Sequence, residues 1–149
     1  MNPTLAMPPL LKKLQYKPPV VVYALNHPTE FEIALSMMKD HVAVATEWPA
    51  EGDVSFVLIF VQSEKEIKNT MDLLQQRLIG DGILWFAFPK KSSKKYAVEI
   101  NRDHGWDSLI QNGFVPVRSV SIDEDWTALR FRRVEYIKSM TRTFNPAYH

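Results

Sequence analysis

The chain has 149 residues, of which 46% are hydrophobic and 23% charged, and its net charge is +1. This length suits one domain with a full core, and so small a charge supplies no overall field toward nucleic acid or a membrane surface. The absence of cysteine excludes a disulfide scaffold, a thiol nucleophile and any thiolate-ligated metal.

No apolar run approaches the roughly 18 residues of a membrane span. The longest, residues 54–61, is interrupted by Ser55 and has the length of a strand. Residues 1–19 hold five of the ten prolines. They predict an irregular arm with one helical turn at 10–14 and nothing resembling a secretion signal, so the expected location is cytoplasmic. A single α/β domain is expected over 20–138, followed by a flexible tail over 139–149.

Residues 20–25 (Val-Val-Val-Tyr-Ala-Leu) are apolar at every position, as a parallel strand covered on both faces requires. Asn26 or His27 then precedes a helix with Pro28 at its first position. That helix is expected to run to Met38 with Phe31, Ala34, Met37 and Met38 on one face. A short strand over 41–47 and a loop over 48–52 follow, then the most apolar strand, 54–61.

Ser63 with Glu66 predicts a capping box, and Ile67, Met71, Leu74 and Leu78 recur at helical spacing. Gly80 suits the left-handed residue that closes such a helix. Asp81-Gly82 turns into a buried strand, 83–88, stopped by Pro89. A basic loop carries Lys90, Lys91, Lys94 and Lys95. A third helix over 103–112 would bury Trp106, Leu109 and Ile110. Two alternating strands, 115–122 with Val117, Val120 and Ile122 inward and 126–136 with Leu129, Phe131 and Val134 inward, form a hairpin around Asp123-Glu124-Asp125. Asp123 or Asp125 is expected to pair with Arg130 or Arg132.

The order is therefore β-α-β-β-α-β-α-β-β. With Asp53 opening an apolar strand, the Asp81-Gly82 turn, Gly113-Phe114 and the closing hairpin, it resembles the class-one S-adenosylmethionine-dependent methyltransferases. The resemblance implies a three-layer, Rossmann-like, truncated methyltransferase-like fold. Its six-stranded, mostly parallel sheet would have the order 2-1-3-4-6-5, and the family's third strand would be absent. A second likeness, carried by Trp85-Phe86-Ala87-Phe88-Pro89-Lys90-Lys91 and Asp123-Glu124-Asp125-Trp126-Thr127-Ala128-Leu129-Arg130-Phe131, is to a small bacterial domain family of unknown function.

The family's first loop uses glycine to bring bare backbone close to its cofactor. Here that segment reads Ala24-Leu25-Asn26-His27-Pro28-Thr29, and the first glycine of the chain is Gly52. The resemblance leaves Asn26, His27, Glu47, Trp48 and Gln62 as the residues placed for a cofactor, with Glu47 at the position that holds ribose hydroxyls and Trp48 available for stacking. His41, His104 and Asp103 are read as structural or solvent-facing.

No catalytic group or metal-ligand set is assigned. The expected function is a non-catalytic small-ligand or protein-interaction module on a degenerate methyltransferase-like scaffold, with no cofactor. One alternative is a divergent S-adenosylmethionine-dependent methyltransferase. The other is phosphate or nucleic-acid binding through Lys90, Lys91, Lys94 and Lys95. The second and fifth strands would form the sheet edges, where a homodimer is open.

Overall fold

A computed structural model of the chain describes residues 8–18, 20–97 and 99–137; the tail expected over 139–149 lies outside them. Six strands form one sheet: β1 (Val22–Leu25), β2 (Val44–Ala45), β3 (Val54–Phe60), β4 (Leu78–Pro89), β5 (Phe114–Ser121) and β6 (Trp126–Arg133). Their order is β2-β1-β3-β4-β6-β5, as the methyltransferase resemblance implies. β1 runs parallel to β2 and β3, β3 parallel to β4, and β6 antiparallel to both β4 and β5.

Alternation along the central strands sends successive apolar side chains to opposite faces. Val57, Ile59, Leu84, Phe86, Leu129 and Phe131 enter one core, which is covered by α3 (Glu64–Arg77), Trp106 and α4 (Asp107–Gln111). Phe56, Leu58, Phe60, Trp85, Ala87 and Ala128 enter the other, covered by α1 (Pro9–Lys13) and α2 (Glu32–Lys39). The result is a three-layer α/β fold.

The proline-rich segment supplies part of the second core. Pro9 starts α1 at the first helical position, where its missing N–H costs nothing. Leu11 and Leu14 are fully buried, each contributing about 2 kcal/mol of apolar burial. The Trp85 indole N–H donates to the Leu14 carbonyl at 2.9 Å.

Several expectations about the elements are corrected. Pro28 precedes a 3₁₀ turn, Thr29–Phe31, and the α-helix begins only at Glu32. Its buried stripe is Phe31, Leu35 and Met38, while Met37 is 53% exposed. At 100° per residue Met37 lies some 120° from the centre of that stripe. β2 shrinks to two residues because its one partner, β1, pairs only with Val44 and Ala45.

At α3 the Ser63 hydroxyl accepts from the Glu66 N–H at 3.2 Å, but the Glu66 carboxylate accepts from the Gln62 N–H at 2.6 Å rather than from the cap residue. The helix ends at Arg77 and passes straight into β4. Gly80 is left-handed (φ +48°), but it lies in the irregular start of that strand, between the Val54–Leu78 and Phe56–Ile83 pairs.

Residues 103–106 do not join the third helix. Asn101 and His104 exchange backbone hydrogen bonds in a tight turn, so α4 begins at Asp107, although Trp106 and Leu109 are buried as expected. A register shift between Pro116 and Arg118 leaves Val117 only half-buried. β6 stops at Arg133, which leaves Val134 exposed. The expected ion pairs of the hairpin turn do not form: Arg132 binds Asp81, and Arg130 Nη1 donates to Gln15 Oε1. Asp123 instead accepts from the N–H groups of Asp125 and Trp126, both at 2.8 Å, and so closes the turn.

Candidate functional site

The chain leaves β1, crosses through α2 to β2 on one side, then returns past β1 to β3 on the other. The carboxyl ends of β1 and β3 therefore flank a topological switch point, the place where open α/β sheets leave a crevice for ligands. A cavity of about 350 Å³ lies there. Leu25 closes β1 at its wall, Ile59 comes from β3, Thr70 from α3, and Asn26, Thr46, Glu47 and Trp48 come from the loops after β1 and β2.

The first of those loops turns at Asn26, whose φ is +60°. This left-handed conformation is the one glycine adopts freely, and asparagine tolerates it better than most other residues. The sequence correctly places a side chain at this turn. The backbone nonetheless takes a glycine-like path, and the asparagine amide becomes part of the cavity wall. Trp48 is half-buried against the core under α3, and Glu47 is exposed at the rim. Among the described residues no helix is long and apolar enough to cross a membrane, and no three His, Asp or Glu side chains gather as metal ligands would.

Of the five residues singled out for a cofactor, the fold brings Asn26, Glu47 and Trp48 together. His27 and Gln62 do not line the cavity. The His27 ring nitrogen Nε2 lies 2.7 Å from the Glu32 carboxylate and the ring packs beside Phe31, so it ties the loop to the start of α2. The Gln62 N–H is taken by Glu66 at the head of α3.

The four loop lysines do not act as one group. Lys90 Nζ donates to the Ser121 hydroxyl at 2.6 Å. Lys95 Nζ lies 3.5 Å from the Glu30 carboxylate. Lys94 and Lys95 share a cavity wall with Glu124 and Asp125, so the surface there is of mixed charge.

Sequence reasoning missed Glu30. Its Oε2 accepts from the Tyr96 hydroxyl and from the Trp126 indole N–H, the latter at 2.9 Å. The Tyr96 and Trp126 rings meet edge to face at 4.9 Å. Partial burial on its own would push the Glu30 carboxyl up. The hydrogen bonds from Tyr96 and Trp126, its own backbone and the Lys95 charge overcome that and hold it down at about 2. Burial and the Glu30 carboxylate push the Tyr96 phenol up to about 12. The cluster fastens the loop after β4 onto the 3₁₀ turn that precedes α2 and onto the start of β6. Nothing in local spacing could signal it, since its members lie 66 and 96 residues apart.

No protein-family model and no curated protein sequence matches this chain. Solved structures do. A SAM dependent methyltransferase from Aquifex aeolicus superposes with a TM-score of 0.57 at 13% identity, over 84% of this chain and 88% of that one. A ribosomal protein L11 methylase from Lactobacillus delbrueckii subsp. bulgaricus gives 0.54 at 12%, over 83% and 74%. A putative type 11 methyltransferase from Sulfolobus solfataricus gives 0.52 at 11%, over 84% and 89%. The chain has a methyltransferase fold. At such identities the likeness establishes architecture alone, and what the switch-point cavity does must be argued from its own residues.

Proposed function

We propose that this chain binds a nucleoside-type small molecule in the cavity between the ends of β1 and β3. The observation that carries the reading is the convergence of Asn26, Glu47 and Trp48 on a cavity at the switch point. Its volume, about 350 Å³, falls within the usual range for small-molecule sites. The residue types suit the two ends of a nucleoside. A rim carboxylate accepts hydrogen bonds from vicinal hydroxyls, each worth about 1.5–3 kcal/mol when one partner is charged. An indole offers a face to a base, worth about 1–3 kcal/mol. The left-handed turn at Asn26 sets its side-chain amide in the cavity wall, where it can donate to or accept from a ligand.

A second reading, a divergent S-adenosylmethionine-dependent methyltransferase, is favoured by the fold and by that turn. S-adenosylmethionine, when bound, supplies an activated methyl group. Here Glu47 and Trp48 would hold its nucleoside and Asn26 would line its path. Among the described residues Glu47 is the one ionisable side chain lining the cavity. These walls therefore supply binding and orientation rather than an acid–base pair, and the non-catalytic expectation remains part of the proposal.

Titration calorimetry with adenosine, S-adenosylmethionine and S-adenosylhomocysteine tests both readings. Binding of at least one is expected, weakened about tenfold or more by Glu47→Ala and by Trp48→Ala. Absence of heat and of any thermal shift with all three at millimolar concentration removes the proposal. Binding of adenosine without either sulfur-bearing compound removes the methyltransferase reading alone.

A further inference from the structure

A second cavity, of about 390 Å³, opens at the same edge of the sheet and shares no lining residue with the first. Three separate segments build it: the end of β4 with its following loop, the tight turn before α4, and the β5–β6 hairpin. Among the described residues its walls carry three cations, Lys90, Lys91 and Arg102, and no carboxylate. Phe88, which is buried, gives it an apolar patch.

Three nearby acids are engaged elsewhere, and Asp103, next to Arg102, is exposed and is not among the lining residues. Asp123 closes the hairpin turn, Asp125 accepts from the Ser93 hydroxyl at 2.8 Å, and Glu30 takes Lys95. Glu124 and Asp125 line the neighbouring mixed-charge cavity. Among the described residues Lys91 and Arg102 enter no ion pair. Lys90 Nζ donates to the Ser121 hydroxyl, which restrains that side chain. Ser119 adds a hydroxyl to the wall.

Three cations on the walls of one cavity, with no carboxylate among its described lining residues, favour an anion placed there. Arginine offers a planar fork of donors and lysine a compact point charge, a combination that suits a phosphate better than a single carboxylate. We infer that this cavity is a site for a small molecule bearing a multiply charged phosphate group, held by Lys90, Lys91 and Arg102.

The inference narrows the lysine-loop expectation. Two of the four loop lysines belong to the site, and the third cation, Arg102, comes from a segment that the sequence does not connect to the loop. It stands apart from the nucleoside reading, because the two cavities have different residues.

Calorimetric titration of the full chain with inorganic pyrophosphate tests it. Binding is expected at low salt and should fall steadily as salt rises. The double variant Lys91→Ala/Arg102→Ala should lower affinity by at least about tenfold, while Lys94→Ala and Glu47→Ala leave it unchanged. Lys91 and Arg102 are exposed, and matching melting curves would show that the variant is folded. No binding of pyrophosphate at millimolar concentration overturns the inference. So does equal loss on Lys94→Ala, or binding of a short single-stranded oligonucleotide where pyrophosphate fails.

Discussion

Replacing Glu30 with glutamine removes one charge from a partly buried cluster and little else. The wild-type carboxylate accepts two hydrogen bonds, from Tyr96 and Trp126, and faces the Lys95 ammonium. The carboxyl is held at about 2 against an ordinary 4.5, a difference worth at most about 3 kcal/mol. Glu30 is 22% exposed and Lys95 58% exposed, so solvent screens part of that. Glutamine keeps an acceptor of the same shape, and Glu30→Gln is expected to cost about 1–2 kcal/mol at pH 7. For a domain of this size that is roughly 2–8 °C in Tm.

The pH dependence follows from the direction of the shift. The unfolded chain takes up this proton first as pH falls, so the stabilisation is whole above about 4.5 and is lost progressively toward about 2. Urea unfolding at a series of pH values, for wild type and Glu30→Gln, measures both quantities. The variant should show a flatter acid limb, and the two chains should converge at the acid end. Equal stability at pH 7 with parallel acid limbs would refute the assignment of this carboxylate as the pin between the 3₁₀ turn before α2 and β6.

Two further substitutions probe the core. Leu14→Ala should destabilise by about 2–4 kcal/mol in urea unfolding, because Leu14 is fully buried at the end of α1 and its carbonyl receives the Trp85 indole; a loss under 1 kcal/mol would mean that α1 is not part of the folded unit. Gly105→Ala should cost more than about 2 kcal/mol, because Gly105 has φ +106° and an added Cβ would press on the Ile100 side chain; an unchanged Tm would contradict the tight turn before α4.

The strands themselves were legible because their signals are local, whereas their order came with the methyltransferase resemblance. Residues 54–60 and 84–88 are apolar at nearly every position, which only a strand covered on both faces tolerates. The hairpin alternates and turns on acids, and Ser63 announces α3 three residues ahead of Glu66. Less legible were features where neighbours compete for one residue. The third helix loses its first turn because Asn101 and His104 pair with each other. The Glu66 carboxylate found Gln62 rather than the cap residue. Asn26, Glu47 and Trp48 were readable as one site through strand order, since all three follow the ends of adjacent strands. His27 was equally placed by sequence, but Glu32, five residues on, draws its ring to the helix.

By itself the sequence determined the number of strands and the absence of glycine from the first loop, because each of these is written in runs of a few residues, while the strand order came with the methyltransferase resemblance. Only the tertiary structure decided that Asn26 adopts the glycine-like turn, that Glu30 meets Trp126 across 96 residues, and that Arg102 joins Lys90 and Lys91 around one cavity. Backbone pattern is a local property of the chain. The meeting of polar side chains depends on where distant segments come to rest once the apolar faces have been buried.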